Sequence, residues 1–167
     1  FRSLPHNPSS ILEVGANRGL NIIALNHLFP KCDFSAVEIN PTAFDELIKL
    51  DVDGINSSFQ DFESEKQYEV ILFKGVLIHM NPDSLNDVYL KAAKLSQKYV
   101  LFVEYFNPTP IEVTYRGHAG KLFKRDFAGE FLDLNHHWRL LDYGFIYNRG
   151  IFSQDNLTWF LMEKLEK

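Results

Sequence analysis

The chain has 167 residues and a single cysteine, Cys32. One thiol excludes an intramolecular disulfide and a zinc centre built on thiolates. No run approaches the ~18 consecutive apolar residues of a membrane span, and no signal-peptide pattern is present, so a cytoplasmic location is expected. There is no excess of positive charge. Seventeen Lys and Arg against 22 Asp and Glu leave a formal charge of −5, which argues against broad binding to nucleic acid. No repeat, low-complexity tract or linker interrupts the sequence, so a single domain over residues 1–167 is expected. The chain opens on Phe1 rather than Met, close before its first apolar strand, and further N-terminal material is expected ahead of it. His136 and His137 are adjacent and diverge, with no third ligand nearby in sequence, so no metal site is expected.

What is present is an ordinary globular balance, 46% hydrophobic and 23% charged, with 15 Phe and 7 Tyr. That aromatic load belongs in a core or along a cleft. Short apolar runs predict strands at 11–14, 34–38, 54–56, 69–73, 99–104, 138–145 and 157–162, several of them continuous enough for parallel strands covered on both faces. Helices are predicted at 20–29, 41–50 (Pro41 in first position), 84–96 (Leu85, Val88, Tyr89, Ala92 and Leu95 in helical register) and about 124–132. The order predicts βαβ crossovers and a mostly parallel sheet. The segment 147–156 has no helical period and is rich in Asn, Gly, Ser and Asp, so the last two strands form a hairpin and one of them runs antiparallel. The expected fold is α/β and Rossmann-like: a seven-stranded, mostly parallel sheet with an antiparallel strand from the C-terminal hairpin and helices on both faces. That is the arrangement of class I methyltransferases.

The most informative stretch is Ile11 to Gly19, a strand that runs into Glu13 and then the loop Gly15, Ala16, Asn17, Arg18, Gly19. In open α/β sheets ligands sit beyond the carboxyl ends of the strands. Gly15 lets the backbone approach a ligand, and Gly19 lets the next helix start tight against the first strand. Asn17 stands where the dinucleotide fingerprint has its central glycine, and Glu13 would repel a pyrophosphate. Both features disfavour a nicotinamide dehydrogenase. Glu13 suits a cationic ligand carrying an ammonium and a sulfonium, which describes S-adenosyl-L-methionine, with S-adenosyl-L-homocysteine as product. Glu38, ending the second strand, has the spacing of the acidic residue that accepts from ribose hydroxyls. Ile39 is placed to cover an adenine face, and Ser57, Ser58 and Phe59 to read its edge. Lys74, Gly75 and Val76, after the fourth strand, offer a backbone carbonyl to the methionyl ammonium. Taken singly, each of these is also an ordinary turn or strand end; the combination carries the assignment.

From Phe73 onward the resemblance is narrower. Phe-Lys-Gly-Val-Leu-Ile-His-Met-Asn-Pro-Asp (73–83), the block from Glu-Tyr-Phe-Asn-Pro-Thr-Pro to Phe-Ala-Gly-Glu (104–130) and Asp-Asn-Leu-Thr-Trp-Phe-Leu-Met-Glu-Lys (155–164) resemble methylases associated with pseudaminic acid and other surface-polysaccharide biosynthesis. The resemblance covers nearly the whole chain. It implies a class I S-adenosylmethionine-dependent methyltransferase of glycan or nonulosonic-acid metabolism, with additional N-terminal helices.

The block 104–130 concentrates the acceptor candidates. Arg116 and Arg125 have the chemistry to clamp a carboxylate or phosphate, as on an acidic or nucleotide-activated sugar. Tyr105 and Tyr115 offer flat faces, and Asn107 and Lys121 polar contacts. A solvated basic face is the plainer use of the same cations. A hydroxyl acceptor benefits from a general base, for which His118, His79 and Glu104 are the candidates; His79 is equally suited to capping the Asn-Pro-Asp turn. Two other uses stay open: methylation of protein or nucleic acid, which the acidic balance disfavours, and a non-catalytic binding domain, which has no need of Glu38 or the glycine loop. Neither the methyl acceptor nor the oligomeric state can be read from the residues.

Overall fold

A computed structural model describes residues 1–151 and 154–166. Seven strands form one sheet: β1 (Ser10–Val14), β2 (Asp33–Val37), β3 (Asp53–Ile55), β4 (Tyr68–Lys74), β5 (Ser96–Glu104), β8 (Trp138–Ile146) and β9 (Leu157–Lys164). Their order is β3-β2-β1-β4-β5-β9-β8. The first five pair in parallel, and β9 runs antiparallel to both β5 and β8. The expected α/β architecture is therefore observed, with the single reversed strand inside the C-terminal hairpin. The helices are α1 (Leu20–Leu28), α2 (Pro41–Leu47), α3 (Leu85–Leu95) and α4 (Phe127–Leu134).

Alternation along the strands sorts side chains between two cores. Ile11, Val70, Leu72 and Leu101 pack with Ile22, Leu25 and Leu47 of α1 and α2. Leu12, Ile71, Phe73, Val100 and Phe102 pack with α3 and α4 on the opposite face. Strands covered on both faces need the continuous apolar runs seen in β1, β4 and β5. The aromatic load concentrates on the α3/α4 face: Phe73 stacks on Phe102 at 5.5 Å, Phe102 meets Phe131 at 5.4 Å, and Phe131 meets Trp138 at 5.2 Å. Each such pair contributes about 1 kcal/mol beyond its buried area.

The differences from expectation lie at element ends and in one additional strand pair. The helix expected at 124–132 begins later, because the Asp126 carboxylate accepts from Gly129 N at 2.8 Å and caps it. Phe123 and Lys124 are instead a short strand β7 paired with β6 (Ile111–Glu112), two-residue strands with no periodicity to read. Residues 82–84 form a 3₁₀ turn before α3, and β5 starts at Ser96 because that residue pairs with Tyr68. The helix expected at 41–50 ends at Leu47. Phe152 and Ser153 of the expected 147–156 connection lie outside the described residues.

β1 is flanked by β2 on one side and β4 on the other, so strand order reverses between β1 and β4, and a crevice opens at their carboxyl ends. Because β8 runs in the same sense as β5, the connection leaving it reaches that same edge. Among the described residues no helix is long and apolar enough to cross a membrane, and no group of three His, Cys, Asp or Glu is placed to hold a metal ion.

Candidate functional site

The loop after β1 is shaped by three left-handed residues, Gly15, Asn17 and Gly19, with φ of 70°, 51° and 75°. Asn is among the few non-glycine residues that tolerate this region. Gly15 N and Ala16 N donate to Val37 O at 2.8 and 3.2 Å, folding the loop over the end of β2. A Cβ at Gly15 would lie 2.5 Å from Val76 Cγ2, so the turn after β4 requires glycine there as much as a ligand would. At Gly19 the close neighbours are Leu47 and Leu50, so this glycine serves the packing of α2's C-terminal end rather than the first strand.

Glu38 follows β2 directly and is nearly buried. Its two oxygens accept from Asn17 N and Asn40 N, each at 2.7 Å, tying the glycine loop to the α2 cap. Each oxygen keeps a further lone pair for a ligand donor. Asn56 Nδ2 donates to Glu38 O at 2.7 Å, a brace that no sequence pattern announced. Beside Glu38 lies a cleft of about 460 Å³ lined by Gly15, Ile39, Ser57, Ser58, Phe59, Val76 and His79. Ile39 stands exposed at its rim, whereas Phe59 is buried against Phe73 and forms its floor. Ser58 Oγ donates to Asp61 Oδ2 at 2.6 Å and accepts from Asp61 N, and Ser57 Oγ donates to Ser58 O, so both hydroxyls first shape their own turn.

Glu13 is 1% exposed. Burial pushes its pKa up to about 7, against the opposing pull of Asn21 and Lys74. One oxygen accepts from Asn21 Nδ2 at 2.6 Å; the other is buried without a hydrogen-bond partner among the described residues. Lys74 Nζ donates to Asn21 Oδ1 at 2.9 Å. Gly75, with φ 66°, turns the chain out of β4 into the 3₁₀ turn Leu77–His79.

A second cavity of about 810 Å³ adjoins the first, lined by Lys74, Gly75, His79, Tyr105, Tyr115, Asn148, Gln154 and Asp155 among others. His79 lines both. Its Nδ1 lies 2.8 Å from Lys121 O, an atom that only accepts, so Nδ1 donates and Nε2 of the neutral ring is left with the lone pair. The imidazole also packs against Tyr115 at 5.3 Å. Tyr105 Oη donates to Asp155 Oδ2 at 2.5 Å; burial and that carboxylate push its pKa up to about 12.

The block 104–130 does not converge on the cavity as its composition suggests. β6 and β7 make it a hairpin, latched to the core through His79 and the buried Leu122. Tyr115 and His118 exchange backbone hydrogen bonds of 2.9 Å at its tip, leaving Arg116 and His118 exposed and outside the cavity lining. Arg116 lies over the Tyr115 ring at 5.2 Å. Lys121 contributes its carbonyl, and Asn107 donates to Thr109 O. Arg125 Nε donates to Glu130 Oε1 at 2.7 Å, and Tyr89 Oη holds the other Glu130 oxygen, so Arg125 is tied to α4 and lies outside the lining of both cavities. Glu104 is fully enclosed. Its Oε1 accepts from Val76 N and Leu77 N at 2.9 and 3.0 Å, which caps the turn carrying His79. Burial pushes its pKa up to about 7 despite those donors. It lies beneath that turn and lines neither cavity. Asn21 and the trio Asn148, Gln154 and Asp155 carry no sequence signal of a site, since the polar composition of 147–156 signals a turn alone.

No protein-family model matches the sequence, and no curated protein matches it, so the resemblance of its later blocks to surface-polysaccharide methylases stands without a matching family. Solved structures do resemble the fold. The 1,6-didemethyltoxoflavin-N1-methyltransferase of Burkholderia thailandensis, crystallised with 1,6-didemethyltoxoflavin and S-adenosylhomocysteine, superposes with a TM-score of 0.76 over 96% of this chain and 72% of its own, at 15% identity. Coclaurine N-methyltransferase, bound to N-methylheliamine and S-adenosylhomocysteine, gives 0.75 over 98% and 69% at 11% identity. The O-methyltransferase of a trans-AT polyketide multienzyme from Brevibacillus brevis, complexed with S-adenosyl-L-homocysteine, gives 0.72 over 95% and 67% at 10% identity. At such identities the likeness establishes the class I methyltransferase fold.

Proposed function

We propose that this chain is an S-adenosylmethionine-dependent methyltransferase acting on a small polar acceptor, a sugar or nucleotide-sugar of surface-polysaccharide or nonulosonic-acid assembly. The observation that carries it is the meeting of two clefts at His79: one lined by Gly15 and by Val37 and Ile39 on either side of Glu38, the other lined by aromatic rings, amides and a carboxylate. The residues fit the cofactor. Glu13 keeps a buried oxygen without a partner, the arrangement a nearby cation relieves. Glu38 would accept ribose hydroxyls through its remaining lone pairs, and Ile39 and Phe59 would flank the adenine. When bound, S-adenosylmethionine supplies a methyl group activated by its sulfonium. Three similar folds with S-adenosylhomocysteine bound support this cofactor.

The acceptor cavity supports the sugar reading through its chemistry. Tyr105 and Tyr115 give apolar faces for a pyranose ring, and Asn148, Gln154 and Asp155 give the mixed donors and acceptors that neighbouring hydroxyls need. His79 Nε2 accepts the proton of an attacking hydroxyl, with Lys121 O holding the tautomer. The continuous sheet and its two cores support one domain for residues 1–167.

The test is release of S-adenosylhomocysteine from S-adenosylmethionine on addition of acidic sugars and nucleotide-linked sugars. Turnover with these and none with peptides or oligonucleotides is expected; the reverse pattern overturns the acceptor class.

A further inference from the structure

Lys74 closes β4 on the sheet face shared by Glu13 and α1, two steps beyond Leu72 in the α1-side core. Its ammonium is held by Asn21, in the first turn of α1, and Asn21 in turn holds Glu13. A carboxylate can only accept and an ammonium can only donate, so the asparagine amide is fixed one way round, its NH₂ towards Glu13 and its oxygen towards Lys74. The outcome is an ordered array of anion, neutral amide and cation beside the glycine loop. Had the fold needed only to neutralise a buried carboxylate, a direct Lys74–Glu13 ion pair would do so. Instead the amide keeps the two charges apart, and each retains capacity: one Glu13 oxygen lacks a partner, and an ammonium with one bond to Asn21 has two further N–H groups.

Separated opposite charges with unused capacity complement a zwitterion. We propose that the Lys74 side chain holds the α-carboxylate of the cofactor's amino-acid end, with Glu13 as the counter-charge to its ammonium and Asn21 as the spacer between them. This rests on the cofactor assignment made above. It turns Lys74 from a residue that lends only backbone into one that distinguishes a nucleoside bearing a complete amino acid from one that has lost it. Lys74 borders the acceptor cavity and also a groove of about 430 Å³ on the α1 side of the sheet, lined by Asn21 and Leu25 together with Phe1, Asp142 and Trp159. The tether to Asn21 turns the ammonium towards α1 and Glu13, and Asp155 of the acceptor cavity is already engaged by Tyr105.

Calorimetric titration of the wild type, Lys74→Met and Lys74→Arg with three probes decides it: S-adenosylhomocysteine, its decarboxylated analogue S-adenosyl-3-thiopropylamine, and 5′-methylthioadenosine. Loss of a charge-assisted contact predicts about tenfold weaker S-adenosylhomocysteine binding by Lys74→Met, with partial recovery in Lys74→Arg. The two probes without a carboxylate should bind the wild type and Lys74→Met alike. Unchanged S-adenosylhomocysteine affinity in Lys74→Met overturns the role of Lys74 while leaving the cofactor assignment intact. An equal loss for all three probes also overturns it, since that marks a general disturbance of the cleft. A wild type that binds none of the probes overturns the cofactor assignment and this inference together.

Discussion

Glu104→Ala is expected to lower the free energy of unfolding by about 3 kcal/mol, since it leaves two amides without an acceptor in a buried turn and opens a cavity beside them. The amides are those of Val76 and Leu77, and the site is completely enclosed. Glu104→Gln separates the two roles of this carboxyl, because it keeps an accepting oxygen and removes the charge. The folded pKa is raised to about 7, above the ordinary carboxyl value, so between those two values the folded state holds more protons than the unfolded one. Stability from this group is therefore complete at acid pH and is lost as pH rises through about 7. The Glu104→Gln variant should match the wild type near pH 4.5 and exceed it by about 3 kcal/mol at pH 8. Glu13 shifts in the same direction and keeps a residual slope in the variant. Urea unfolding at the two pH values measures the difference; parallel profiles for wild type and Glu104→Gln would show that Glu104 ionises normally.

His79→Ala is expected to reduce kcat about 100-fold with a hydroxyl acceptor, the usual worth of a positioned base. The same substitution releases the hairpin, because Nδ1 no longer donates to Lys121 O. KM for the acceptor should rise with it, and KM for S-adenosylmethionine should move far less. His118→Ala, at the exposed hairpin tip, should stay close to wild type. Steady-state kinetics with both substrates varied reads all of these outcomes. Full activity in His79→Ala together with a large loss in His118→Ala would mean that the tip, and not the latch, meets the acceptor.

The parts of this molecule that sequence makes legible are those whose signals are local. β1, Glu13, the glycine loop, α1 and Glu38 follow one another within a single βαβ unit, and each leaves its own mark: an apolar run, a left-handed turn, an acidic strand end. The acceptor side is built differently. Arg125 is an attractive anion clamp by residue type, but Glu130 lies on the first turn of α4, and the two neutralise each other. Glu104 has the type of a general base, yet it sits beneath two backbone amides contributed by the turn after β4. Nothing near it in sequence foretells that. Asn148, Gln154 and Asp155 reach the cavity because β8 runs in the same sense as β5, a consequence of strand order and not of composition. The hairpin that sorts 104–130 rests on two-residue strands, too short to carry any period.

The claim on which everything else depends is that the cleft beside Glu38 holds the adenosine end of S-adenosylmethionine. Calorimetric titration with S-adenosylhomocysteine tests it most directly, on the wild type and on Glu38→Ala, with NADH as the competing ligand. One-to-one binding to the wild type, at least about tenfold weaker binding to Glu38→Ala, and no comparable binding of NADH are expected. Equal affinity of wild type and Glu38→Ala for S-adenosylhomocysteine, or tight binding of NADH, would contradict it.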